Sequence, residues 1–249
     1  MSNELNPLDL EKTYRQISRP PIVEAIIHWQ AFPTVKLDPT EVLARFQERF
    51  PRFTTSIPVQ SLEFVANLSS VGETSTAQHH LGYRLLSEDR REVIQIFRDG
   101  VSYSLLNAYT HWDDFVKAAE PVWSAHADLV KPVEFSRVAV RFINHFPTVT
   151  LGSLDSVLHE PPTCPANLPL TEFVYQSSFD VPGRHYGARV IKLMQKSTPG
   201  LFLDIEAFTS KATIIESNEH QMTLRHLRGL KNAVFFSLIT NDIANSQPV

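Results

Sequence analysis

The sequence predicts an α+β fold assembled from two pseudo-repeated halves, and three observations predict it. Strand-like runs follow one another closely, and in "EVIQIFRDGVSYSLLNAY" the Asp99-Gly100 pair between two apolar runs marks a hairpin. Each half closes on a long stretch whose apolar residues recur at helical spacing. The elements run β-α-β-β-β-β-α and then β-α-β-β-β-α, with "LEFVANLSS" and "TEFVYQSSF" in corresponding places. The expected architecture is an antiparallel sheet with the long helices packed on one face and a broad concave surface on the other. Residues 1–18 read as a flexible arm, 19–132 as the first α+β half and 133–249 as the second, fused into one globular unit.

The elements follow in order. In "SRPPIVEAIIHWQAF" two prolines impose an extended entry, and Ile22 to Ala31 is apolar on both faces, as a central strand would be. "LDPTEVLARFQERFP" is a marked helix: Asp38 caps it, Pro39 takes the first turn, Glu41 completes a capping box and Pro51 ends it. "SLEFVANLSS" and "HHLGYRLLSED" are strand-like, and the Asp99-Gly100 hairpin follows. "THWDDFVKAAEPVWSAHADLV" reads as a long helix with Thr110 and Asp113 as its capping box and Pro121 as a kink or break.

The second half opens on "VAVRFINHF", followed by a short helix at 151–158. "LTEFVYQSSFDV", "YGARVIKLMQK" and "GLFLDIEAFT" read as strands, with a turn at "STPG". A last helix over about 219–243 takes Asn218 as its cap and buries Leu224, Leu227, Val234 and Leu238.

Composition narrows the function. The chain has 249 residues and a net charge of −4, which argues against a long nucleic acid as main partner. One cysteine, Cys164, sits in the proline-rich "PPTCPANLP", so no disulfide framework is expected. The start "MSNELNPLDLEKTYRQ" lacks the basic and apolar regions of a signal peptide, and no apolar run approaches the ~18 residues of a membrane span. The expectation is a cytoplasmic bacterial protein with no membrane partner. Only 8 glycines occur, and none forms a phosphate-cradling loop or a nucleophile elbow. No HxxxH, HExxH or CxxC spacing appears among the ten histidines and the cysteine; His79 and His80 diverge on a strand, and His220 and His226 share no helix face well. No cofactor is expected. Trp29, Trp112 and Trp123 read as core rather than as a stacking platform.

The residues that invite a function lie on strands. Alternation puts Val138, Val140, Phe142 and Phe146 on one face of "VAVRFINHF", with Arg137, Ala139, Arg141, Ile143 and His145 on the other. Arg141 therefore stands on a mixed polar and apolar face. It either pairs with a carboxylate, with Glu24, Asp204 and Glu206 as candidates, or joins Arg137 in presenting planar donors to an anion. In "GLFLDIEAF" Asp204 and Glu206 share a face with Phe202 and Phe208, as a charged strand face or as a carboxylate pair for acid–base work or a divalent cation.

At Pro20, Pro21, Ile22 and Glu24, at Arg141, Phe142, Ile143 and Asn144, and at Asp204 with Glu206, the chain resembles a sporadically distributed bacterial and archaeal family of about this length. Its members open on a Pro-Pro-hydrophobic-x-Glu strand, carry a mid-chain Arg-aromatic-Ile-Asn motif and place an acidic-apolar strand before a closing helix. The resemblance brings no activity with it. It implies that Glu24, Arg141 and Asn144 act together in a pseudo-symmetric pairing of the halves.

The leading expectation is a binding or interaction protein rather than an enzyme. Its sheet face, with Arg137, Arg141, Asn144, Glu24, Asp204 and Glu206, would take a small anionic ligand or a protein segment. One alternative is a divalent-metal hydrolase or nuclease-like effector using Asp204 and Glu206. The other is a saddle-like nucleic-acid binder, which needs Arg137, Arg141, Arg189 and Lys192 or Lys196 on one basic surface. The surplus of apolar residues in "VFFSLI" suggests a homodimer surface.

Overall fold

A computed structural model describes residues 8–17, 19–35, 38–66, 74–165, 167–214, 217–241 and 243. Residues 1–7 and 18 of the expected arm, the 67–70 end of the expected strand "SLEFVANLSS", and the side chains of His79, His80 and Asn218 lie outside the described residues. Up to residue 130 the chain forms strand β1 (Ile22–Gln30), helix α1 (Pro39–Arg49), strands β2 (Thr55–Ala66), β3 (Thr74–Leu86), β4 (Glu92–Phe97) and β5 (Gly100–Leu106), and helix α2 (Trp112–Val130). Beyond it come the two-residue β6 (Glu134–Phe135), β7 (Arg137–Phe146), a 3-10 turn over Leu151–Ser156, β8 (Phe173–Asp180), β9 (Tyr186–Gln195), β10 (Thr198–Thr209), the short β11 (Thr213–Ile214) and helix α3 (Ser217–Leu238). The fold is α+β, as expected.

Nine strands make one antiparallel sheet in the order β2-β3-β4-β5-β1-β7-β10-β9-β8, while β6 and β11 form a separate ribbon. β1 is central, as its two apolar faces require, and pairs with β7 from Ile22 opposite Asn144 to Gln30 opposite Arg137, with a register shift between Ile22 and Glu24. Outward from that pair lie β5, β4, β3 and β2 on one side and β10, β9 and β8 on the other.

Alternation sorts the central strands cleanly. Ala25, Ile27 and Trp29 of β1, Val138, Val140 and Phe142 of β7, and Ala207 of β10 are buried in one core. Trp123 of α2 stacks on Trp29 with centroids 6.0 Å apart, and Phe115 of α2 meets Tyr103 and Phe142 edgewise or tilted. α3 adds Leu224, Leu227 and Leu230 to this core. A second cluster joins Leu201, Leu203 and Ile205 to Phe235 and Ile239 near the end of α3 and to Val157 and Leu158.

Several local expectations are corrected. Asp38 does cap α1 by accepting from the Thr40 N–H, but Thr110 does not cap α2: His111 holds that place in an extended conformation and offers no side-chain bond. Pro121 neither breaks nor splits α2, which runs through it. One lost N–H is outweighed by burial on both sides, with Phe115 and Ala119 before it and Val122 and Trp123 after. Lys131, with φ of 50°, ends that helix in the left-handed conformation. α3 begins at Ser217, so Asn218 lies inside it and is not its cap. The turn expected at "STPG" falls two residues earlier, because Thr198 already pairs with Gln195. Trp29, Trp112 and Trp123 are all buried. The surplus in "VFFSLI" is largely covered within the chain: Phe235 and Ile239 are buried, and Tyr14 stacks on Phe236 with centroids 5.0 Å apart.

Candidate functional site

The charged residues singled out in the sequence meet on the mixed face of the sheet, and they meet each other. Across β1, β7, β10 and β9 the residues Ile26, Arg141, Glu206 and Arg189 stand in one row, with Glu24, Ile143, Asp204 and Ile191 in the next. Diagonal neighbours on a sheet lie within reach of long side chains. Arg141 reaches back to Asp204, its Nε donating to Oδ1 at 2.8 Å and its Nη2 to Oδ2. Arg137 donates to Glu206 Oε1 at 2.8 Å, and Arg189 to Oε2 at 2.6 Å. The Arg137 guanidinium also lies 4.4 Å from the Phe208 ring centroid.

Asp204 and Glu206 are thus taken up. Burial alone would push the Glu206 carboxyl up, but the Arg137 hydrogen bond and the charges of Arg137, Arg189 and Arg141 hold it below its usual range. The bidentate bond to Asp204 raises Arg141 further, against its burial. Glu24 contributes to Arg141 through its charge. His28, beside Ala139 in the register, is lowered by burial and by Arg137, against the pull of Glu206 and Asp99. A carboxylate already satisfied by one or two guanidiniums is a weak base and a weak ligand for a hard cation. Among the described residues no group of three or more His, Cys, Asp or Glu side chains is placed to hold a metal ion.

The register also separates residues that the sequence grouped. Lys192 faces Leu203, not Glu206, and it is Arg189 that stands opposite Glu206. Lys192 is buried and donates to the Glu160 carbonyl at 2.9 Å, so it shares no basic surface with Arg137 and Arg141. Asn144 likewise leaves the charged face. It is 2% exposed and donates through Nδ2 to the Leu203 carbonyl at 3.0 Å.

Asn144 lies instead on the wall of a cavity of about 370 Å³. Pro20, Pro21 and Ile22 at the head of β1 line it too, so much of the Pro-Pro and Arg-aromatic-Ile-Asn resemblance converges here rather than on the sheet face. The remaining walls are residues 14–17, the start of α2 and the last turns of α3. The 8–17 segment is held against α3 by buried Leu10 and by close backbone approach at Gly229, where an added Cβ would stand 1.8 Å from the Leu10 carbonyl oxygen.

Three cationic side chains, Arg15, Arg228 and Lys231, and one carboxylate, Asp113, line this cavity. Lys231 is the unusual one. It is 9% exposed, and its Nζ lies 4.0 Å from the centroid of the Phe142 ring. Among the described residues it has no carboxylate and no hydrogen-bond acceptor within bonding distance. Burial, with the nearby Arg228 charge, lowers it to about 7. Arg228 itself lies 5.5 Å from the Trp112 centroid. Asn232, Gln16 and His111 add polar groups to the wall, the last two joined at 3.0 Å.

Sequence reasoning missed Lys231 and Arg228. The signal was present: Lys231 is four residues after Leu227 and four before Phe235, a cation in the buried stripe of a helix. Cys164 is exposed. No helix among the described residues is long and apolar enough to cross a membrane. No family model, curated protein or solved structure matches the chain.

Proposed function

We propose that the chain is a binding protein for a small anionic molecule, and that the ligand sits in the cavity between the 8–17 segment, the start of α2 and the end of α3. The observation that carries this reading is Lys231, a cation nine-tenths buried on the cavity wall with no acid beside it among the described residues. A buried charge is costly unless paired, so a site of this kind favours a partner that brings the missing negative charge. The volume suits a small molecule rather than a polymer. The ligand-binding class expected from the sequence is kept; its place moves from the sheet face to the cavity, because Arg137, Arg141 and Arg189 already hold carboxylates. The same ion pairs count against Asp204 and Glu206 as a metal or acid–base pair.

The two-half organisation belongs to this reading. It is supported by the run of strands outward from β1 and β7, with β5, β4 and β3 in the positions of β10, β9 and β8, and by a long helix after β5 and another after β10. Aromatic contacts of α2 with Trp29, Tyr103 and Phe142 support helices gathered on one side of the sheet.

A thermal-shift and calorimetric series with inorganic phosphate and small carboxylates tests the reading. The wild type should be stabilised by at least one of them, Lys231→Met and Arg228→Ala should lose the effect, and Arg141→Ala should keep it. Equal responses from all four proteins would place the anion elsewhere and end the proposal.

A further inference from the structure

Resting on the anion-pocket reading, we infer that Lys231 binds covalently: its amine condenses with the carbonyl of a small 2-oxo carboxylate while Arg228 holds the carboxylate. Three features of the cavity converge on this. The Lys231 amine is packed on Phe142 on one side and lies on the cavity wall, with no acid among the described residues to lock it as an ion pair. Arg228, one turn before it on α3, offers a planar two-pronged donor suited to a carboxylate. The Asn232 amide lies on the same wall, where it can hydrogen-bond the hydroxyl of an addition intermediate.

Nucleophilic lysines share these surroundings, since an apolar setting and a neighbouring cation leave part of the amine neutral at physiological pH. Lys231 has both, in Phe142 and in Arg228. The other charged groups around the cavity are Arg15 and Asp113.

The step balances without a further reactant. The neutral amine's lone pair attacks the carbonyl carbon, forming a C–N bond and a carbinolamine. The C–O bond then breaks, and one water leaves with the carbonyl oxygen and the two amine protons. A C=N bond remains, with no change in oxidation state. The carboxylate two bonds from the new nitrogen stays with Arg228.

The test is reductive trapping on the full chain. The protein is incubated separately with pyruvate, glyoxylate and 2-oxoglutarate in sodium cyanoborohydride, then read by intact mass and peptide mapping. Lactate, which keeps the carboxylate but lacks the carbonyl, runs in parallel by thermal shift. The inference expects one saturable adduct per chain, mapped to Lys231, slowed by lactate, several-fold weaker in Arg228→Ala and absent in Lys231→Arg. Thermal shifts from these acids and lactate, with no adduct at Lys231 beyond that on surface lysines, overturn the imine and leave the anion pocket standing. No adduct, and no shift with any of them or with inorganic phosphate, overturns both.

Discussion

Replacing Lys231 with methionine should stabilise the empty protein, and the gain should depend on pH in a defined way. The lysine moves from its ordinary 10.5 in the unfolded chain to about 7 in the fold. At 1.36 kcal/mol per unit, folding works against the ammonium by up to ~5 kcal/mol, and by about 4 kcal/mol at neutral pH. The sign follows from proton uptake. Between about pH 7 and 10.5 the unfolded chain holds the proton and the folded chain does not, so wild-type stability rises with pH across that window. Below it both states are charged and the penalty is complete. Methionine keeps similar length and packs on Phe142 without a charge to desolvate. Urea unfolding of the wild type and Lys231→Met between about pH 6 and 10 reads the effect directly. The variant should be more stable by a few kcal/mol near neutrality, and the gap should shrink as pH rises. A less stable variant, or a gap that ignores pH, would mean that the amine is solvated or paired, and the case for a missing anion would go with it.

Three further outcomes follow from the packing. Burial holds His126 neutral, lowering it to about 4, with both ring nitrogens lacking a partner among the described residues beside Trp123. Its contribution is whole above about pH 6.5 and drains as pH falls toward 4, by up to ~3 kcal/mol; in urea titrations His126→Leu should lose less stability over that range than the wild type. Glu206→Gln leaves Arg137 and Arg189 without their shared carboxylate and should cost about 3 kcal/mol, whereas Asp204→Asn, whose partner Arg141 is more exposed than Arg137, should cost less. The reverse order of urea midpoints would refute the account of the charged face. Gly229→Ala would favour helix by ~1 kcal/mol in isolation. Its Cβ has no room beside Leu10, so trypsin should cut faster at Lys12 and Arg15; unchanged cleavage would show the segment is not held there.

What could be read in advance divides along the range of the interaction. The two faces of β7 follow from alternation alone, so Val138, Val140 and Phe142 fell correctly into the core and Arg137 and Arg141 outside it. The Asp99-Gly100 hairpin is as local, with Phe97 opposite Gly100. The partner of Arg141 was not legible, because it depends on the β7–β10 register and on competition: Glu206 stands directly opposite but is occupied by Arg137 and Arg189. The β9–β10 register was hidden for another reason, an irregularity between Thr198 and Phe202 that places Lys192 opposite Leu203. Asn144 joins Arg141 only through the motif that carries the family resemblance, and three residues along a strand reverse the face. The cavity required five separate segments to meet, and only its lysine, set in the apolar stripe of α3, left a trace in the sequence.

The nine-strand sheet ends in two dissimilar margins. At β2 the outermost chain carries Pro58, which has no N–H to offer, and its neighbour β3 bulges at Leu81, between the partners of Val59 and Gln60. Both features discourage the addition of another strand. At β8 the outermost chain is proline-free and displays Val174, Tyr175 and Phe179 to solvent. A strand added at β8 would therefore meet a receptive margin, while the β2 margin would resist one.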